Sequence, residues 1–137
     1  MYEVFEHTAD LGLRVRADDL NGLFAEAARG LLSLIVVNLD QVEAVQEKSI
    51  ELQTDTLDYL LFDWLNELLY TFETDQLLLS GFDVEVNESK ITARCFGEPA
   101  DPSRHEMDHE VKAITYHRLK VERLDNGSWL AEVIVDI

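Results

Sequence analysis

An α+β fold is predicted for this chain: a single domain in which a mixed or antiparallel sheet is packed by two long helices. Three observations predict it. Two stretches place apolar residues at spacings of three and four, the period of one helix face. Several others alternate apolar and polar residues, as a half-buried strand does. At 137 residues with a hydrophobic fraction of 47%, the chain fits one domain that buries about two-thirds of its unfolded surface.

The elements follow in order. Tyr2 to Glu6 reads as a short strand, with Tyr2 and Val4 on one face. His7 to Asp10 breaks that pattern. Leu11, Leu13 and Val15 then alternate with Gly12, Arg14 and Arg16 as a half-buried strand. Asp18 and Asp19 are candidate N-caps, because a carboxylate there accepts the orphan N–H groups of a first turn. The helix they open is predicted over Leu20 to Val36, with Leu23, Phe24, Ala27, Ala28, Leu31, Leu32 and Ile35 on its apolar face. Gly22 and Gly30 weaken it by up to about 1 kcal/mol each against alanine, and a glycine there allows close packing on a neighbour.

Val42 to Gln53 reads as a longer polar strand. Thr54-Asp55-Thr56 starts the second helix, with Asp58 at capping-box spacing from Asp55. It is predicted over Thr56 to Thr74, and its stripe from Leu57 through Leu61, Trp64, Leu65, Leu68 and Leu69 to Phe72 marks a core helix lying on a sheet. Leu77 to Val86 and Ser89 to Phe96 form two strands about an Asn87-Glu88 turn. Gly97 to His109 turns polar, a surface excursion with room for a short helix after Pro102.

His109 to His117 has strand composition, β-branched and aromatic without glycine or proline. Period two puts Glu110, Lys112, Ile114 and Tyr116 on one face and Val111, Ala113, Thr115 and His117 on the other. Its polar content predicts a strand with one end in the core and the Lys112 end at an open site. Leu119 to Glu122 alternates again, Asp125-Asn126-Gly127 supplies a turn, and Trp129 to Val135 is apolar on both faces, hence central.

Charge narrows the function. With 28 acidic against 11 basic residues the formal net charge is −17, which argues against broad contact with nucleic-acid phosphates. It favours cations, or a partner with a basic surface; solubility alone is the plainer reading. Cys95 is the only cysteine, so no internal disulfide forms and a cytoplasmic, reducing location is expected. Its place in an apolar strand pattern predicts a buried thiol. No apolar run reaches the about 18 residues of a membrane span, and the start Met1-Tyr2-Glu3-Val4 is not a signal peptide.

Two constellations carry candidate chemistry. His105-Glu106-Met107-Asp108-His109 satisfies the HExxH spacing of zinc proteases. Pro102 upstream and the strand downstream leave no room for the helix that pattern needs, and no third ligand is evident, so we read it as a chance match. The second is Asp10, in an irregular joint after the first strand, together with Asp136 and the carboxyl group of Ile137 at the end of the last strand. If the first and last strands are neighbours, these oxygens converge. Oxygen-only sites suit hard cations such as calcium or magnesium, and Lys112 would balance charge or contact a phosphate. The alternative is that Asp10 caps a turn, Asp136 is a solvated end and Ile137 frays.

His7-Thr8-Ala9-Asp10-Leu11-Gly12, Glu110-Val111-Lys112-Ala113-Ile114-Thr115-Tyr116-His117 and Val135-Asp136-Ile137, at these positions, resemble the archease family. Each motif is weak alone; the three together are specific, and the similarity covers essentially the whole chain. The resemblance implies an α+β fold, a sheet carrying two long helices with a small inserted strand–helix segment, for which approximately residues 77–109 are the candidate. It implies an accessory protein, not an enzyme: an activator of the RtcB-class GTP-dependent RNA ligase that joins tRNA halves and repairs broken RNA. In that family the small protein promotes guanylylation of the ligase and its repeated turnover. The partner is then the ligase, with GTP and tRNA met only through it. Motif matching makes Asp10, Asp136 and Ile137 the candidate ligands of a divalent cation, calcium first and magnesium or manganese next. Lys112, Asp10 and Asp136 become the residues of ligase activation. Two other readings stay open, a chaperone-like acidic adaptor and a metal-dependent hydrolase.

Overall fold

Ten regular elements follow one another in the computed structural model, which describes residues 1–137. Strands β1 (Tyr2–His7) and β2 (Asp10–Ala17) form a hairpin, and helix α1 (Leu20–Ile35) follows. After a single 3-10 turn at Leu39–Gln41 come strand β3 (Gln46–Gln53) and helix α2 (Leu57–Asp75). The hairpin β4 (Leu77–Val86) and β5 (Lys90–Pro99) leads through a long connection to β6 (Ala113–Ile114), β7 (Lys120–Arg123) and β8 (Trp129–Asp136).

The strands form two antiparallel sheets, not one. The larger runs β1-β2-β8-β6 with β7 also on β8, and the smaller runs β3-β5-β4. β8 is central, as its apolar character on both faces predicts. The two helices and two sheets share one cluster of 33 buried side chains, so the α+β class stands and both sheets serve the same core. Fully buried Trp64 of α2 donates its indole N–H to the carbonyl of Phe24 in α1, 2.9 Å away, which locks the helices together. Gly30 lets α1 lie close on β2: a Cβ there would come within 2.5 Å of Leu13 Cδ1.

Local chemistry sets the element ends. Asp19 caps α1 by accepting from the Gly22 N–H at 2.7 Å. Thr56 caps α2 by accepting from the Tyr59 N–H, whereas the expected capping-box Asp58 instead accepts from the Val121 N–H at 2.8 Å and ties β7 to the helix. The strand expected from Val42 begins only at Gln46, because the Glu43 N–H turns aside to the Glu98 carboxylate. The turn at Pro102 stays a turn and builds no helix.

The largest departure concerns His109 to His117, of which only Ala113–Ile114 is strand. The residues before it have another task. The Asp108 and His109 N–H groups donate to the carbonyls of Ile35 and Leu34 at 2.8 and 2.9 Å. They satisfy carbonyls that the last turn of α1 cannot satisfy internally. A β-ladder and a helix cap compete for the same N–H groups, and here the cap wins.

Candidate functional site at the end of the large sheet

The His7–Asp10 break is a two-residue hairpin turn, with Thr8 at φ 53°. That conformation strains a β-branched residue. The turn starts β2 at Asp10, and β2 pairs with β8 so that Leu11 faces Val135, Gly12 faces Ile134 and Arg14 faces Glu132. Leu13, Val15, Ala131, Val133 and Val135 point into the core. The intervening residues project from the opposite, outer face. The β2–β8 register ends at the Leu11–Val135 pair, and Asp10 and Asp136 are the next residue of each strand beyond it. The neighbour of the last strand is therefore the second strand and not the first.

His7 faces Asp10 across the hairpin, and its ring lies 5.0 Å from that of His117. Its Nδ1 is buried and meets no hydrogen-bond partner. Both histidines fall inside quoted sequence motifs, yet neither stood out as a member of this cluster. Only pairing of three strands and the loop after β6 brings them together. Arg118, next to His117, holds φ 57° and lays its guanidinium 5.6 Å from the centre of the Phe5 ring, while Arg14 takes 4.5 Å. Phe5 lies flat across Gly12, where a Cβ would come within 2.1 Å of the ring. That glycine keeps the outer face level beside the tip.

Lys112 meets the tip through its backbone: its N–H donates to the Asp136 carbonyl at 2.8 Å. Ala113, not Lys112, stands opposite Asp136 in the ladder. The Lys112 side chain is exposed and lines a groove beside α2 with Asp63, Glu67 and Tyr70. Ile137 packs its side chain against the core.

Asp10 and Asp136 supply oxygens of the hard kind that calcium and magnesium prefer, and Ile137 follows directly with a main-chain oxygen. No group of three or more His, Cys, Asp or Glu side chains is placed to hold a metal. Two carboxylates and a main-chain oxygen are donors whose chemistry would suit a hard cation. A zinc-type imidazole cage does not fit.

The His105–His109 string forms no metal pair. His105 is buried, accepts the Asp101 N–H at Nδ1 and turns Nε2 to Glu98 at 3.4 Å. Arg104 foremost, then the Glu43 N–H, holds Glu98 down to about 2. His109 lies at the surface with Nε2 3.8 Å from Asp108. Cys95 is fully buried, and that burial pushes its thiol up to about 12, which removes it as a nucleophile.

An α+β protein of two helices and two antiparallel sheets, with an acidic tip where β2 meets β8, is the class these features define. The Archease protein family (MTH1598/TM1083) matches over residues 2–137. The chain is 45% identical over 140 residues to a protein archease of Methanopyrus kandleri, covering 99% of each chain. To one from Pyrococcus abyssi it is 37% identical, covering 99% of this chain and 98% of that one. The solution structure of Methanobacterium thermoautotrophicum protein 1598 superposes with a TM-score of 0.87 at 33% identity, covering 99% of this chain and 98% of that one. An archease of Thermotoga maritima, described as a possible chaperone, follows at 0.66 and 26%, covering 100% and 98%. The chain belongs to the archease family. No helix is long and apolar enough to cross a membrane.

Proposed function

We propose that this chain is an accessory protein that activates an RtcB-class RNA ligase in tRNA splicing and RNA repair, acting in the cytoplasm through a cation held at its acidic tip. The observation that carries the reading is that Asp10 and Asp136 each follow the last β2–β8 pair, Leu11–Val135, so that both carboxylates end the same edge of the ladder. Two like charges at one edge are unfavourable alone, and a divalent cation between them turns that repulsion into binding energy. Asp10, Asp136 and the main-chain oxygen of Ile137 hold calcium, or magnesium or manganese in its place. The charged tip enters the basic, metal-containing site of the ligase and helps orient GTP phosphates for guanylylation. Lys112 acts there on phosphate charge, and RNA is met only through the ligase.

Membership of the family and the negative field of the chain support this reading over a hydrolase. The inert Cys95 and the buried His105, whose Nδ1 is taken by the Asp101 N–H, leave no activated nucleophile. A chaperone-like acidic adaptor is the second reading, and it needs no cation. Ligation of a broken RNA by limiting cognate ligase, with GTP and manganese, separates the two. Product is expected to rise beyond one per ligase with wild-type protein and to fall back with Asp136→Ala. Equal stimulation by both proteins counts against the cation-bearing tip, and equal stimulation in chelator favours the adaptor.

A further inference from the structure

α2 carries Asp58, Asp63, Glu67, Glu73 and Asp75 and no lysine or arginine. Asp58 is occupied by the Val121 N–H, and Asp75 reaches Lys48 at 3.6 Å. Asp63, Glu67 and Glu73 make no ion pair, and they share one outward stripe of the helix with Tyr70, which is 60% exposed. This stripe lines a groove of about 430 Å³ opposite Lys112. Lys112 is itself the one lysine without an ion pair; Lys48, Lys90 and Lys120 all have one.

The groove does not end there. Past Leu69 and Glu73 it continues into a second stretch of about 370 Å³ between α2 and residues 107–111. Its floor is apolar, from Ile35, Phe72 and Val111, and Met107 at its edge is 42% exposed. Asp108 and Glu110 extend the acidic rim. Thirteen residues of helix separate Asp63 from Gln76, about 20 Å at the helical rise, a span filled by about six residues of extended chain.

Charge selects the occupant. Five carboxylates face one lysine, in a chain of net charge −17. A nucleic acid, an anionic membrane and a second copy of this chain are all repelled. A protein segment bearing arginine or lysine is attracted, with its apolar side chains on the Ile35–Phe72–Val111 floor and its cations against the rim and the Tyr70 ring.

We propose that this groove is a docking site for a basic, apolar-anchored segment of the partner protein, distinct from the cation-bearing tip. The inference rests on the reading that the partner is the ligase. Lys112 forms the wall nearest the tip, and its N–H is bonded to Asp136, so a segment seated in the groove fixes where the tip points.

The test measures binding of the cognate ligase to wild-type protein, Tyr70→Ala, the double variant Glu67→Lys/Glu73→Lys, and Asp136→Asn. All three altered helix positions lie on the outward stripe, and thermal melts confirm folding. Both groove variants are expected to lose about tenfold or more in ligase affinity with calcium affinity unchanged. Asp136→Asn is expected to keep ligase affinity while losing stimulation, and wild-type binding is expected to weaken with salt. Wild-type binding and stimulation matched by both groove variants would overturn the docking site alone. Wild-type protein that neither binds nor stimulates the ligase overturns the ligase reading, and this assignment with it.

Discussion

Glu132 and Asp136 lie four residues apart on the same strand and the same sheet face, yet their surroundings are opposite. Glu132 faces Arg14 across the ladder and bonds its guanidinium at 2.5 Å, with Arg118 at 3.5 Å and Lys120 at 4.0 Å on its other oxygen. It is only 3% exposed. Asp136, like Asp10, follows the last β2–β8 pair. Between the two pairs lie only Gly12 and Ile134. The same two strands therefore build an acid held by three cations and, at their end, an acid with no cation of the chain beside it. A buried carboxylate persists because cations of the chain surround it. Arg14, drawn to Glu132 and Glu3, has its own pKa raised, by the Glu132 hydrogen bond first.

Breaking the first pair should have the largest effect. Glu132→Ala strips Arg14, Arg118 and Lys120 of their shared partner and is expected to cost about 2 kcal/mol, a value tempered by the partial exposure of those cations. Urea unfolding at an unchanged slope measures it. The tip should respond in the opposite sense. Asp136→Asn relieves the repulsion, so melting in chelator stays level or gains up to about 1 kcal/mol. Calcium affinity by calorimetry falls about tenfold or more. Asp10→Arg sharpens the contrast further, because it copies the Arg14–Glu132 arrangement. It should stabilise by a comparable amount and abolish calcium binding. A destabilised Asp10→Arg protein would show that the two registers are not equivalent.

Glu98 gives a smaller, pH-dependent effect. Its folded value of about 2 lies below its ordinary 4.5, chiefly through Arg104. A lowered carboxylate contributes stability that is complete above about pH 4.5 and is lost as pH falls toward about 2. Acid titration of the melting temperature should show that decline in wild-type protein and a shallower one in Glu98→Gln. Least affected should be Cys95: its thiol is expected to react with a thiol reagent at pH 8 only as the protein opens, which timed labelling in and out of denaturant measures.

The helices were legible because their signals are local. The Leu57–Phe72 stripe and the Asp19 cap need only neighbours within a turn or two. The strands of the small sheet were legible by composition and alternation, and the central β8 by being apolar on both faces. His109–His117 was misjudged as a strand because strand composition does not reveal that α1, more than 70 residues earlier, needs its last carbonyls covered. Two sheets were expected as one because alternation reports that a face is buried and not which strand lies beside it.

Of the candidate site, Asp10, Asp136 and Lys112 were visible as residues and as matches to a family. Their arrangement was not. By itself the sequence determined the helices, most strands, the charge of −17 and the family. Tertiary structure alone decided that β2 and not β1 lies against β8, that Asp10 and Asp136 thereby end the same edge of the ladder, that His7 meets His117, and that the Lys112 side chain joins an acidic groove beside α2. The physical reason is one of range. Propensity and periodicity act over a few residues, whereas register is set by the packing of whole strands on a shared core, and a shift of one residue would exchange every inner side chain for an outer one.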